Sequence, residues 1–120
     1  MNKTFSQKIT VQENQSAMVY GSGLLPVFAT PALIGLMENT AMQLIELPEG
    51  SSSVGTSINM QHLKASAIGE IIECTATIIA QEGRKYSFEI KAIDSANELV
   101  GTATHERFVV NIEKFMSKLK

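Results

Sequence analysis

Apolar positions along this chain change their period once, after Leu47. Between Phe28 and Leu47 (FATPALIGLMENTAMQLIEL) they recur at intervals of three and four. Leu33, Leu36, Met37, Thr40, Ala41 and Leu44 then fall on one stripe of a 3.6-residue helix, which predicts a long helix with that stripe buried. Thr30 is placed to cap the helix and Pro31 to occupy its first position, where a missing N–H costs nothing. Glu38 lies at the edge of the apolar stripe, beside Ile34 and Ala41.

Beyond the loop of Pro48, Glu49, Gly50 and three serines the period becomes two, the signature of half-buried strands. Val54, Thr56, Ile58, Met60 and His62 would share one face of the first strand, with Gly55, Ser57, Asn59 and Gln61 on the other. Ile72 to Ala80 and Tyr86 to Ala92 alternate in the same way around the turn Glu82-Gly83-Arg84. A turn at Ser95 to Asn97 leads into a last strand from about Leu99 to Val110, and Asn111 then caps a short helix. Before the long helix, Gln7 to Gln12 reads as a strand, Glu13 to Gln15 as a turn and Ala17 to Tyr20 as a second extended piece. The segment Gly21, Ser22, Gly23 and Pro26 is either a substrate-covering loop or a plain connection. The expectation is one α+β domain over residues 1–120: a strand, a long helix, then four strands in a meander curling around that helix.

Composition narrows the function classes. A net charge of −2 with no basic patch argues against a nucleic-acid partner. No apolar run is long enough to span a bilayer or act as a signal peptide, so a cytoplasmic protein without membrane contact is expected. Cys74 stands alone in an alternating strand, which reads as a core residue, and two histidines without a cysteine pair make a metal site unexpected. Three polar residues remain as candidates for chemistry. They are Thr30 at a helix N-terminus suited to a developing anion, Glu38 about two turns or roughly 12 Å further on, and His62 on the core-facing side of the next strand.

Three blocks carry a resemblance. FATPALIGLME (28–38), SVGTSINMQH (53–62) and GTATHERFVVNIEKF (101–115) are similar to the corresponding blocks of the fluoroacetyl-CoA thioesterase-like family. This resemblance implies the hot-dog fold, a central helix wrapped by a curved antiparallel sheet, with active sites between the subunits of a homodimer. It leaves open whether two dimers pair into a tetramer. It also implies Thr30, Glu38 and His62 as catalytic residues, Gly55 near the thioester carbonyl, and Arg107 as a partner for an acidic side chain or a CoA phosphate. The implied activity is hydrolysis of an acyl-CoA substrate without a further cofactor. Members specialised for fluoroacetyl-CoA carry a longer, Phe-rich stretch before the helix. Here there is only GSGLLPV (21–27), whose Leu24 and Leu25, with Phe28 beyond them, would line a shallow acyl pocket for short chains, and nothing singles out fluorine. Two other readings fit the same residues: an enoyl-CoA hydratase or dehydratase on this fold, and a non-catalytic acyl-CoA-binding module.

Overall fold

The computed structural model describes residues 3–119. Its elements are strand β1 (Thr4–Thr10), a 3-10 turn (Glu13–Gln15), a one-turn helix α1 (Ala17–Tyr20), the long helix α2 (Thr30–Met42), strands β2 (Ser51–His62), β3 (Ile71–Glu82), β4 (Lys85–Ile93) and β5 (Leu99–Asn111), and a short helix α3 (Ile112–Ser117). The five strands form one antiparallel sheet in the order β1-β3-β4-β5-β2, and α2 lies across it touching every strand.

The stripe predicted for α2 is the buried one: Leu33, Leu36, Met37, Thr40 and Ala41 are inaccessible, together with Ala32. They pack on Ile72, Cys74 and Ala76 of β3, Phe88, Ile90 and Ala92 of β4, and Ala103 of β5, the period-two positions of their strands. Burial of Cys74 pushes its thiol up to about 11, consistent with a core residue. Gly101 leaves no room for a side chain under the helix, since an added Cβ would lie 3.0 Å from the Gln61 carbonyl oxygen and 3.1 Å from Leu33 Cδ2. Gln7 ties β1 to the helix by donating to Asn39 Oδ1 (2.9 Å) and Thr40 Oγ1 (2.8 Å). Asn111 caps α3 as expected, accepting from the Lys114 N–H at 2.9 Å. Among the described residues no helix is long and apolar enough to cross a membrane, and no group of three His, Cys, Asp or Glu side chains is placed to hold a metal ion.

Five local expectations are corrected. Helix α2 ends at Met42 rather than Leu47, although Leu44 and Ile45 still pack on the core. Its N-cap is Ala29, so Thr30 and Pro31 are the first two helical residues and the Thr30 hydroxyl makes no capping bond. Ala17–Tyr20 is helical rather than extended, because the Ser16 hydroxyl caps it by accepting from the Val19 N–H at 3.3 Å and Gly21 closes it with a φ of 85°. The four later strands are not a simple meander. β3, β4 and β5 follow one another, but β2 pairs with β5 and β1 takes the place beside β3. Residues 63–70 make the crossing, held where Val11 N–H donates to the Glu70 carbonyl and Gly69 N–H to the Val11 carbonyl. Finally, the register of β2 shifts at Thr56, so that Gly55 stands opposite Arg107 while Ile58 stands opposite His105. This bulge moves Gly55 onto the core face beside Ile58, Met60 and His62, whereas unbroken alternation would have put Val54 there.

Candidate active site

The helix α2 and the strand β2 run past each other with two polar groups between them. At the first is Thr30, in the opening turn of the helix, whose Oγ1 is 2.8 Å from Nδ1 of His62, the last residue of β2. Freed from capping, the hydroxyl is available to this ring. Nε2 of His62 is buried and has no hydrogen-bond partner among the described residues. Burial holds the imidazole below its ordinary value, which favours its neutral form. Which atom of the Thr30–Nδ1 bond donates depends on the tautomer of the ring. Beside this pair is a cleft of about 280 Å³, walled by Ser22, Val27, Phe28 and Leu63.

The second group lies about two turns further along the helix, roughly 12 Å from Thr30. It contains Glu38, Gly55, His105 and Arg107. A Cβ built on Gly55 would sit 3.2 Å from Glu38 Oε2, 3.2 Å from His105 Cε1 and 3.4 Å from Arg107 Nη1. The glycine thus leaves open a Cβ-sized position, on an exposed residue, toward which a carboxylate, an imidazole edge and a guanidinium converge. Glu38 itself is half-buried, reachable from that space and from the helix edge. Arg107 is only 7% exposed and is anchored by Nε to Ser53 Oγ (2.9 Å), Nη2 to the Ser53 carbonyl (3.0 Å) and Nη1 to His105 Nε2 (3.3 Å). Desolvation lowers the Arg107 pKa, with the negative charge of Glu38 opposing the shift.

The sequence-predicted residues are therefore brought together in two sets. Thr30 meets His62, and Glu38 meets Gly55 and Arg107, but within one protomer the sets stay apart. Leu24 is 90% exposed and Leu25 64%, and neither lines the cleft, because the surface loop that carries them holds both side chains outward. Phe28 does line it, yet is 1% exposed and belongs mainly to the core. The sequence reading missed His105 and Ser53. The signal for His105 was the alternation Ala103, His105, Arg107, which puts its side chain on the same inward face as the arginine.

The two histidines make stability pH-dependent. Desolvation depresses both His62 and His105 below the ordinary histidine value. A depressed histidine contributes stability that is fully present above its unfolded value and lost as pH falls through its folded value, because the unfolded chain takes up the proton first. The melting temperature is therefore expected to be flat above about pH 6.5 and to fall as the pH drops below it, less so in the His62→Gln/His105→Gln double variant. Thermal melts across that window check it; a melting temperature that rose on acidification would contradict the burial of both rings.

Known proteins match this architecture closely. The structure superposes on that of the fluoroacetyl-CoA thioesterase FlK with a TM-score of 0.92 and 31% identity, covering 99% of this chain and 93% of that one. A thioesterase-superfamily protein from Thermus thermophilus, 20% identical, shares the fold with a TM-score of 0.90 over 98% of this chain and 88% of its own. In sequence, the chain is 38% identical over 96 residues to the fluoroacetyl-CoA thioesterase of Streptantibioticus cattleyicolor, covering 78% of this chain and 68% of that enzyme. The family profile described as fluoroacetyl-CoA-specific thioesterase matches residues 11–113. With the helix, the bulged strand and both polar groups all inside that span, the chain belongs to the fluoroacetyl-CoA-specific thioesterase family, a family of thioester hydrolases with the hot-dog fold.

Proposed function

We propose that this protein hydrolyses short-chain acyl-CoA thioesters to the free acid and CoA, working as a homodimer. The observation that carries the reading is the space over Gly55, toward which a carboxylate and a guanidinium both point within 3.4 Å of one Cβ-sized position. Glu38 acts there as general base on a water, or as the nucleophile itself, and the negative charge formed on the thioester oxygen is met by Arg107. As the C–S bond breaks, the sulfur leaves as the thiolate and takes up the proton that Glu38 removed from the water, while His62, held by Thr30 through Nδ1, orients that water.

Dimerisation supplies what one protomer lacks. β2 is a twelve-residue edge strand bonded to β5 on one side only. A long open edge of this kind is a template for pairing. Antiparallel self-pairing about a two-fold axis runs the His62 end of one strand beside the Gly55 end of the other. His62 of the partner subunit would then face the Glu38 group across the interface. Light scattering at micromolar concentration is expected to give twice the 13.0 kDa chain mass, or four times if dimers pair further. A fully active monomer would remove this part of the reading.

Substrate size follows from the cleft, which is small and walled by Val27, Phe28 and Leu63. Each added methylene gains up to roughly 0.8 kcal/mol until the cleft is filled, after which overpacking reverses the trend. A thiol-release screen is expected to place the maximum kcat/KM among acyl groups of about two to six carbons. A maximum at palmitoyl-CoA would show a deep channel instead. Hydration of enoyl-CoA without thiol release would replace the reading with a hydratase, and binding of CoA esters without turnover would replace it with a binding module.

A further inference from the structure

His105 is the one ionisable residue beside Glu38 and Arg107 to which the proposed mechanism gives no part. Its ring is buried on the inward face of β5, stacked on Phe88 with ring centroids 5.8 Å apart. Both nitrogens are engaged. Nδ1 lies 2.8 Å from the Ser57 carbonyl oxygen, which can only accept, so Nδ1 carries the proton. Nε2 is then a lone pair, and at 3.3 Å it accepts from Arg107 Nη1. The ring therefore presents Cε1–H, rather than a nitrogen, to the space over Gly55, which excludes it as the acid or base of the reaction.

Arg107, for its part, is a buried cation that donates only to neutral acceptors: Ser53 Oγ, the Ser53 carbonyl and His105. Among the described residues no carboxylate lies within ion-pair distance of it. Glu38 Oε2 stands across the vacant position instead of against the guanidinium. Glu38 acts on this buried cation as a charge beyond contact, which leaves the guanidinium able to meet a further anion. Such a guanidinium must also be kept from swinging onto the neighbouring carboxylate, because a Glu38–Arg107 ion pair would close the space that the substrate needs.

We infer that His105 is a positioning residue, whose Nδ1–H tautomer, pinned to the Ser57 carbonyl, holds the Arg107 guanidinium open toward the charge that forms over Gly55. The inference rests on the thioesterase reading for what that charge is, but the holding of Arg107 is observable without turnover.

Two substitutions separate positioning from packing. His105→Phe keeps a ring to stack on Phe88 and removes the acceptor, whereas His105→Gln loses the ring and retains an amide oxygen able to reach Nη1. Positioning requires the phenylalanine variant to lose roughly tenfold or more in kcat/KM for a short acyl-CoA, and the glutamine variant to stay within about threefold, both with cooperative melts. In an Arg107→Met background the His105→Phe loss should vanish. In 15N-labelled protein, the Arg107 Nη1–H protons should give resolved, slowly exchanging signals in the wild type and in His105→Gln, but not in His105→Phe. The inference is overturned by the opposite order of activities, by losses that multiply in the Arg107→Met background, or by resolved Nη1–H signals in His105→Phe. A wild type that released no thiol would end the thioesterase reading, and the NMR comparison would still decide whether His105 holds Arg107.

Discussion

Replacing Glu38 by Gln is expected to lower kcat/KM for a short acyl-CoA by at least about 100-fold, the usual worth of a positioned general base, while the fold stays intact. The substitution is isosteric, and Glu38 is half-buried at the edge of the helix stripe, so the core formed by Leu33, Met37 and Ala41 is untouched. What is removed is the negative charge and the capacity to take a proton or attack a carbonyl. The glutamine amide would still reach the space over Gly55, so substrate binding should change far less than turnover, and the loss should appear mainly in kcat. Thiol release measured alongside thermal melting checks both halves. Wild-type turnover in this variant would take Glu38 out of the mechanism.

Gly55→Ala should be comparably damaging for a steric reason. The added methyl would occupy the vacant position itself, 3.2 Å from Glu38 Oε2 and 3.4 Å from Arg107 Nη1. Gly55 is not among the glycines with positive φ, so alanine is compatible with its backbone. Of the three crowded groups, His105 and Arg107 are pinned and only the Glu38 carboxylate can swing away, so the fold should absorb the change chiefly by displacing that carboxylate. The chemistry should not: displacing the reacting groups by about an ångström costs on the order of 100-fold. A stable Gly55→Ala protein with undiminished kcat/KM would show that the reaction takes place elsewhere, and it would undermine the proposed function more directly than any change at the cleft.

Much of this protein was legible in its sequence because periodicity is a local property. The buried stripe of α2, the alternation of β3, β4 and β5, the Gly83 turn and the Asn111 cap depend on residues within a few positions of one another, and each is found as expected. The three resemblance blocks pointed to Thr30, Glu38, His62, Gly55 and Arg107, of which the structure brings Thr30 to His62 and Glu38 and Arg107 to Gly55. Tertiary structure alone decided how they are grouped. No periodicity records that β2 crosses to pair with β5, since an edge strand and a central strand with one wet face alternate alike. The bulge at Thr56 was equally hidden, because one extra residue inverts the faces on one side of it without changing composition, and that inversion is what sets Gly55 against Glu38. Thr30 looked like a cap from its place before Pro31, but Ala29 took the cap position and left the hydroxyl for His62, thirty-two residues away. Alternation along β5 marks His105 only as inward-facing. Its part depends on a carbonyl from β2 and a guanidinium two residues along β5, contacts that exist only once the two strands are paired.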